Sequence, residues 1–393
     1  MIRIEDKQIC TGCYACLNIC PEQCVSMNND NEGFWYPVVD NERCIDCGLC
    51  VKVCPIINRV EYENKPITYA CINNREDIRL ESSSGGIFTL IAEQIIACGG
   101  IVFGARFDDN FNVIHDYVDT KEGLQKFRGS KYLQSRIGET FKEVEKQLEK
   151  GRKVLFSGTP CQIAGLKSFL DKPNDSLFTV DIICHGVPSP LVWQKYIEYR
   201  EAIAGSKARR IAFRRKDEGW KLFSISFIFE NDKEYIQTYK SDLYMRAFLK
   251  DICLRPSCYN CQFKTLNRDS DITLADFWGI QNILPEMDDN KGTSLLFVNS
   301  KKGLGMFEEI KGNIISKKVD INEAVSYNLA AVRSSRYNPK REDFFREIDK
   351  LPFEQLINKY CSNSVLIRIK RKIKLPIRTI LKEIGLLDVI KNI

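Results

Sequence analysis

Apolar residues follow two different spacings along most of this chain. Short apolar runs bounded by Gly, Asp or Asn are typical of buried strands, whereas apolar residues repeated every three or four positions indicate helices. The strand-like segments are residues 34–39, 101–107, 113–118, 153–156, 178–184, 211–215, 222–229, 235–239, 271–277 and 294–299. The helix-like segments are residues 87–98, 134–150, 160–170 and 189–204. Because strands and helices alternate, the pattern predicts a mixed α/β domain with a largely parallel sheet and an antiparallel insert.

The N-terminal segment is distinguished by cysteines at regular spacings. Two runs read C-x2-C-x2-C-x3-C-P, and the second run repeats the first 34 residues later. A 4Fe–4S cluster needs four thiolates, and the fourth cysteine of each such run normally binds the other cluster. The spacing therefore predicts a bacterial-type two-cluster ferredoxin domain over residues 1–58. We expect one cluster on Cys10, Cys13, Cys16 and Cys54, and the other on Cys20, Cys44, Cys47 and Cys50.

Zinc and disulfide bonds are the alternatives for these cysteines, and both fit less well. Zinc ligands usually come as two pairs rather than as a repeated run of four closed by proline. The chain has 17 cysteines, and Met1–Ile9 does not read as a signal peptide. Since no apolar run approaches the ~18 residues of a membrane span, we expect a protein of the reducing cytoplasm.

Length and charge narrow the class of protein further. A chain of 393 residues with 44% apolar and 28% charged residues is long enough for two or three ordinary globular domains. Residues 364–393 contain eight basic and two acidic residues, so they account for the whole net charge of +6. The charge therefore does not indicate a nucleic-acid partner. The spacing after Pro376 predicts a basic amphipathic helix, which would dock on protein or contact the inner face of a membrane peripherally.

A second group of cysteines lies in the central part of the chain. Cys161 follows Thr159 and Pro160 at the start of a predicted helix, where the helix dipole favours a thiolate. A nucleophile, a redox thiol and a metal ligand are the three chemistries open to it. The Pro-Cys-Gln sequence also occurs in cytosine methyltransferases, but no glycine-rich loop for a methyl donor accompanies it. As metal ligands, four cysteines are candidates for either zinc or a third cluster: Cys161, Cys184, Cys258 and Cys261.

Five short motifs carry a resemblance to a known family. They are Ser82-Ser83-Ser84-Gly85-Gly86-Ile87-Phe88, Phe127-Arg128-Gly129-Ser130-Lys131-Tyr132, Gly158-Thr159-Pro160-Cys161-Gln162, Cys184-His185-Gly186, and Cys258-x2-Cys261 leading to Ala275-Asp276-Phe277-Trp278-Gly279. In this order they resemble the beta subunit of coenzyme F-420 (deazaflavin) hydrogenases and dehydrogenases, fused to a two-cluster ferredoxin. The resemblance covers residues 1–335, with residues 66–151 and 152–335 as two parts of one domain and residues 336–393 as a helical, basic tail.

The resemblance implies a flavoprotein that binds FAD and a third 4Fe–4S cluster in its central domain. The turn of Ser84, Gly85 and Gly86 would cradle the pyrophosphate, although a plain serine cap of the helix is the commoner role. Lys131 and Tyr132 would contact the flavin. Thr159 and Pro160 complete the predicted cofactor-binding residues.

The remaining candidates have structural alternatives, and we assign no catalytic residue. His185 would donate a proton to the substrate, form a hydrogen bond with the flavin or be structural. Trp220 and Trp278 would line an acceptor pocket or be core residues. The basic residues between positions 206 and 216 are most simply a solvated strand face, and binding of an anionic substrate is the alternative.

The sequence thus predicts an α+β and α/β iron–sulfur flavoprotein oxidoreductase. Electrons from a ferredoxin-type or hydrogenase-like donor would pass through the clusters and FAD to a small-molecule acceptor. A sugar or sugar nucleotide is one candidate acceptor. The alternative is an electron-transfer subunit with no substrate of its own, which serves a partner enzyme.

Overall fold

The computed structural model describes residues 1–362, so the predicted basic helix after Pro376 lies outside the described residues. The strands are β1 (Val25–Asn29), β2 (Trp35–Val39), β3 (Ile67–Asn73), β4 (Ile101–Phe107), β5 (Val113–Val118), β6 (Val154–Gly158), β7 (Leu177–Ile182), β8 (Ala208–Arg215), β9 (Ser224–Phe229), β10 (Glu234–Thr238), β11 (Ile272–Asp276), β12 (Ser294–Val298) and β13 (Ile314–Val319). The α-helices are α1 (Ala15–Ile19), α2 (Leu49–Lys52), α3 (Glu76–Glu81), α4 (Ile87–Ala97), α5 (Thr140–Glu149), α6 (Pro160–Leu170), α7 (Pro190–Ala204), α8 (Leu243–Leu249), α9 (Ile280–Ile283), α10 (Lys301–Ile310), α11 (Ile321–Val325), α12 (Arg341–Arg346) and α13 (Phe353–Cys361).

The N-terminal module is small and contains one hairpin. Strands β1 and β2 pair antiparallel, and α1 and α2 carry cysteines of the two repeated runs. The predicted strand at residues 34–39 is β2. Its partner β1 was not predicted, because the polar residues Asn28 and Asn29 resemble a turn but end this strand.

An eight-stranded mixed sheet forms the centre of the molecule, in the order β13-β3-β12-β11-β7-β6-β4-β5. The pairs β4/β6, β6/β7 and β7/β11 are parallel, and the other four pairs are antiparallel. The prediction of a mixed α/β fold is therefore confirmed, but that of a largely parallel sheet is wrong. The antiparallel insert is found as the separate sheet β10-β9-β8.

One helix begins later than its pattern predicts. The apolar spacing predicts a helix from residue 134, but α5 begins at Thr140. The preceding residues instead lie along the sheet, because the backbone N–H of Arg136 donates to the carbonyl of Val113 and Arg136 bridges Ile114. Tertiary pairing outweighs local helical spacing here.

The largest buried cluster lies between α7, α8 and the insert sheet. Trp193, Tyr196 and Tyr244 are fully buried in it. The described part of the predicted tail also packs in this cluster, through residues of α12 and α13 such as Phe344 and Leu356. Among residues 1–362, no helix has both the length and the apolar character needed to cross a membrane.

The carboxyl ends of β3, β4, β6, β7 and β11 lie at one edge of the central sheet, because β12 runs antiparallel to both β3 and β11. Ligands of open α/β sheets usually bind at such an edge. The loops that follow β6, β7 and β11 carry three of the five motifs found in the sequence.

Candidate metal and cofactor sites

The structure brings the eight N-terminal cysteines into two groups. Cys10, Cys13, Cys16 and Cys54 line one cavity, which we call the inner dicluster cavity. The other four, Cys20, Cys44, Cys47 and Cys50, line a second cavity, the outer dicluster cavity. Each group takes three cysteines from one run and one from the other, as the spacing predicts.

Left-handed backbone turns bring the cysteines of each run together. Gly12 and Gly48 have φ angles of +67° and +74° and lie one residue before or after a cysteine. A Cβ atom at Gly12 would come within 2.5 Å of the Gln134 amide nitrogen, so this loop also needs glycine for its close contact with the central domain. The backbone N–H of Ile2 donates to the sulfur of Cys50 at 3.2 Å.

Cys24 lies outside both cysteine runs, so the sequence predicts a packing residue, and its place in a buried hydrophobic cluster confirms this. Its side chain lines the outer dicluster cavity, and its sulfur lies 3.3 Å from that of Cys20. This proximity follows from its position three residues beyond the proline that closes the first run.

Four cysteines from distant parts of the chain line a third cavity, which we call the central cavity. Cys161 begins α6, Cys184 follows β7, and Cys258 and Cys261 lie in and just after a short 3-10 helix. The members of this central group are the four cysteines predicted from the sequence. Thr159 and Pro160 also line this cavity.

The start of α6 is well defined by its own side chains. Thr159 and Gln162 form a reciprocal capping box, and Pro160 occupies the first helical turn. The Thr159 hydroxyl lies 3.1 Å from the sulfur of Cys161. The local sequence therefore orients the Cys161 side chain at the helix N-terminus.

The electrostatics of the central cavity fit an anionic metal centre. Burial, followed by the proximity of Cys261, raises the pKa of the Cys161 thiol well above its ordinary value. Burial also raises the pKa of Cys184, whereas the Lys264 ammonium opposes this shift. Lys264 and Arg268 line the cavity as cationic residues, and thiolates bound to a metal would be compensated by them.

The structure does not by itself assign the metal. Among the described residues, no group of three or more His, Cys, Asp or Glu side chains is placed to hold a single metal ion. The cluster assignments of all twelve cysteines, and the choice between zinc and a cluster in the central cavity, therefore stay predictions.

His185 lies at the rim of the central cavity and has a structural partner. Its Nε2 atom lies 2.6 Å from a carboxylate oxygen of Asp251, and its ring contacts Phe248 edge to face. The Ser335 hydroxyl donates to the His185 carbonyl at 2.6 Å. These contacts hold His185 in the loop that carries Cys184, and its role in chemistry stays a prediction.

The predicted pyrophosphate turn lies beside β12. The Ser84 hydroxyl donates to the Thr293 carbonyl, and the Gly85 N–H donates to the Ser294 hydroxyl. Among the described residues no side chain caps the N-terminus of α4, so the alternative of a plain serine cap is not found. Gly86 precedes the helix with a φ angle of +82°. Within residues 1–362, the first N–H groups of α4 thus have no side-chain acceptor.

Lys131 and Tyr132 lie close to this turn, since the Ser130 N–H donates to the Ser83 hydroxyl at 2.6 Å. The Lys131 ammonium donates to the carbonyls of Arg128 and Gly129. Burial lowers the pKa of Lys131 to about 7. A nearby anion would favour its charged form.

A buried ion pair that the sequence did not reveal joins these segments. Arg214 donates to both carboxylate oxygens of Asp276, at 2.8 and 3.0 Å, and also to the Tyr132 hydroxyl and the Ser83 carbonyl. Burial lowers the pKa of Arg214, but the nearby Asp276 carboxylate raises it by more, so the pKa of Arg214 lies above its ordinary value. The prediction of a solvated strand face is wrong for Arg214, which is 6% exposed.

Trp220 and Trp278 stack on each other beside Asp276, at the edge of the central sheet where β11 ends. Their ring centroids are 4.8 Å apart, with an angle of 7° between the planes. Trp220 is fully buried and donates to Asp276, whereas Trp278 is only partly buried. Trp220 is therefore a core residue, and Trp278 is the member of the pair that retains an accessible surface.

The repeated cysteine runs, each of three closely spaced cysteines and a fourth before proline, are typical of iron–sulfur proteins that transfer electrons. Residues 9–56 match the family model described as "4Fe-4S dicluster domain". Residues 151–323 match the family model for the C-terminal part of the beta subunit of coenzyme F420 hydrogenase/dehydrogenase. The chain thus combines a region that matches this beta-subunit family with an N-terminal dicluster domain. The predicted family resemblance and the predicted fold class are confirmed.

Two known proteins illustrate the similarity. The coenzyme F420-dependent sulfite reductase of Methanocaldococcus jannaschii is 24% identical over an alignment of 352 residues, and the match covers 86% of this chain. The chain spans about half, 51%, of the length of that protein. A chain of the F420-reducing NiFe hydrogenase complex from Methanosarcina barkeri has 19% identity and a TM-score of 0.47, over 69% of this chain and 88% of that one.

Proposed function

We propose that this protein is an oxidoreductase that passes electrons from three 4Fe–4S clusters to FAD and then to a small-molecule acceptor. The clusters would be held by the twelve cysteines of the outer, inner and central cavities. Such clusters exchange single electrons, and a flavin delivers them in pairs. The protein's own contribution is to bind these groups in series and to exclude water between them.

The arrangement of the three cavities carries this proposal. Of the twelve predicted ligands, all of which lie in the described residues, Cys47 alone is exposed. Cys16 and Cys20, from the inner and outer cavities, pack in one buried cluster. Thr11 lines both the inner and the central cavity. This series, from an exposed cysteine to the edge of the central sheet, supports the N-terminal module as the point where a ferredoxin-type or hydrogenase-like donor delivers electrons.

Several features at the sheet edge support FAD as the next group. The uncapped N-terminus of α4 would bind a pyrophosphate through its free N–H groups. Lys131 would supply positive charge, and Tyr132 lies beside it. Trp278 offers an aromatic face near Asp276. A sugar or sugar nucleotide is the acceptor class that we would test first.

The composition of anaerobically purified protein tests this proposal. We expect about twelve irons, an equal amount of sulfide and one FAD per chain, without stoichiometric zinc. About eight irons and no flavin would instead leave only the dicluster domain as an electron carrier.

A second candidate function is an electron-transfer subunit without its own substrate. It is favoured by the match of residues 151–323 to the beta subunit of a hydrogenase or dehydrogenase. Reduction of an added partner enzyme, without turnover of any small acceptor, would support this candidate.

Replacing Lys131 with methionine is expected to weaken FAD binding. A charge-assisted hydrogen bond to a phosphate contributes roughly 1.5–3 kcal/mol, so the Kd should rise about tenfold or more. The measurement is the FAD-to-protein ratio after gel filtration, followed by titration of the apoprotein with FAD. Lys126→Met, at an exposed position five residues earlier, is the matched control and should bind FAD as the wild type does. Equal affinities of both variants would remove Lys131 from the flavin site.

A further inference from the structure

The guanidinium group of Arg255 is fully buried against the first cysteine of the N-terminal module. Its Nε atom donates to the Cys10 carbonyl at 2.8 Å, and one terminal nitrogen lies 3.5 Å from the Cys10 sulfur. The same nitrogen donates to the Trp35 carbonyl at 3.0 Å, and the other donates to the Gln134 side-chain oxygen at 3.1 Å. Arg255 itself is 0% exposed. An arginine of the central domain thus contacts a predicted cluster ligand directly.

No acceptor in this set of hydrogen bonds carries the full negative charge of a carboxylate. The guanidinium carbon also lies 4.2 Å from the centre of the Tyr36 ring and 5.6 Å from that of Phe34. A buried charge is costly unless an opposite charge compensates it. A cluster bound to four thiolates in the inner dicluster cavity would supply that negative charge beside Cys10.

The backbone of Arg255 reaches the central cavity at the same time. Its N–H donates to the Val187 carbonyl, and its own carbonyl accepts from the Cys258 N–H, both at 2.9 Å. Val187 and Cys258 line the central cavity. On the other side, a Cβ atom at Gly12 would lie 3.0 Å from the guanidinium carbon, so the cysteine loop packs tightly on Arg255. One residue therefore touches the walls of two adjacent cavities.

We propose that Arg255 sets the reduction potential of the cluster in the inner dicluster cavity. Reduction adds one electron and hence one negative charge to a cluster. A buried cation that donates a hydrogen bond to a ligand sulfur stabilises the reduced state and raises the potential. Arg255 is a positioning and tuning residue rather than a catalytic one. The inference rests on the proposed function, since it takes Cys10 as a cluster ligand.

A redox titration of the full chain, followed by EPR, tests this role. At the midpoint potential of the wild-type inner cluster, its reduced and oxidised forms are equally populated. We expect Arg255→Met to lower this ratio of reduced to oxidised inner cluster at least tenfold at the same potential. A tenfold change corresponds to about 59 mV for one electron. The potential of the outer cluster should not move. Arg255→Lys keeps the charge but loses the planar fork, so its shift should be smaller.

Arg341→Met is the matched control. Arg341 is also a buried arginine that joins the two modules, through an ion pair with Glu32 and hydrogen bonds to the Leu254 carbonyl. None of these contacts is a predicted ligand. We expect a lower thermal midpoint for this variant and an unchanged potential. A shift as large as that of Arg255→Met would overturn the specific role of Arg255.

The outcomes separate this inference from the proposed function. A wild type without iron in its N-terminal module would contradict the cluster assignment itself. Iron-loaded Arg255 variants with the wild-type potential would contradict only the role of Arg255. If Arg255→Met loses its iron, two other samples test the inference: the Arg255→Lys variant and the wild type labelled with nitrogen-15 arginine. The reduced inner cluster should then show a coupling to a labelled nitrogen by pulsed EPR, and the absence of that coupling would overturn the inference.

Discussion

Cys161→Ala is expected to lower the iron content from about twelve to about eight atoms per chain, because it removes one of four ligands of the central cluster. Cys161 lies in the first turn of α6, which is fixed by a capping box at the N-terminus of the helix. No neighbouring residue of the helix can therefore replace Cys161 as a ligand without unwinding that turn. Cys184, Cys258 and Cys261 would remain as three thiols in the cavity. Iron and sulfide analysis of anaerobically purified protein, with EPR of the reduced state, measures the loss.

Cys71→Ala is the matched control for this variant. Cys71 is fully buried in β3 and lines none of the three cysteine cavities. Its replacement should leave about twelve irons, as in the wild type. If Cys161→Ala and the wild type both contain about eight irons, the third cluster does not exist. One zinc per wild-type chain that is lost in the variant would assign the central cavity to zinc instead.

The two N-terminal groups could be predicted from the sequence because their geometry is local. In each run, three cysteines within seven residues supply most of a cluster's ligands, so their spacing reflects the coordination chemistry itself. For the central group, the four cysteines could be predicted from the sequence, but the metal or cluster that they bind could not be assigned. Its cysteines are up to 100 residues apart, from Cys161 to Cys261, and only the family resemblance and the folded chain bring them together.

Other parts of the fold depend on contacts that leave no periodic signal. Strand β3 joins the sheet between β13 and β12, and these antiparallel partners come from the far end of the domain. Arg214 and Arg255 both look like ordinary basic residues in the sequence. Their functions depend on burial beside Asp276 and Cys10, which are 62 and 245 residues away. A spacing rule cannot detect pairings of this kind.

The ion pair of Arg214 and Asp276 has two separable effects at the edge of the sheet. It compensates a buried charge, which concerns the stability of the whole domain. It also holds Tyr132 and the Ser83 carbonyl, and through them the two segments proposed to bind FAD. A single substitution disturbs both effects, so the experiment needs a second variant to separate them.

Asp276→Ala is expected to destabilise the protein by about 3–5 kcal/mol, because it leaves the Arg214 charge buried without a partner. Replacing both residues with leucine should recover most of this loss, since an apolar pair needs no compensating charge. FAD should be lost from both variants, because Arg214 contacts Tyr132 and Ser83 directly. In Asp276→Ala the carboxylate that holds this guanidinium in place is missing, and the double variant lacks the guanidinium itself. Anaerobic thermal unfolding and the FAD-to-protein ratio are the two measurements. Glu308→Ala, which breaks the exposed pair with Lys311 in α10, should cost less than about 1 kcal/mol and keep FAD. An Asp276→Ala variant as stable as this control would show that the buried charge finds compensation elsewhere. A double variant that retains FAD would instead exclude the pair from the flavin site.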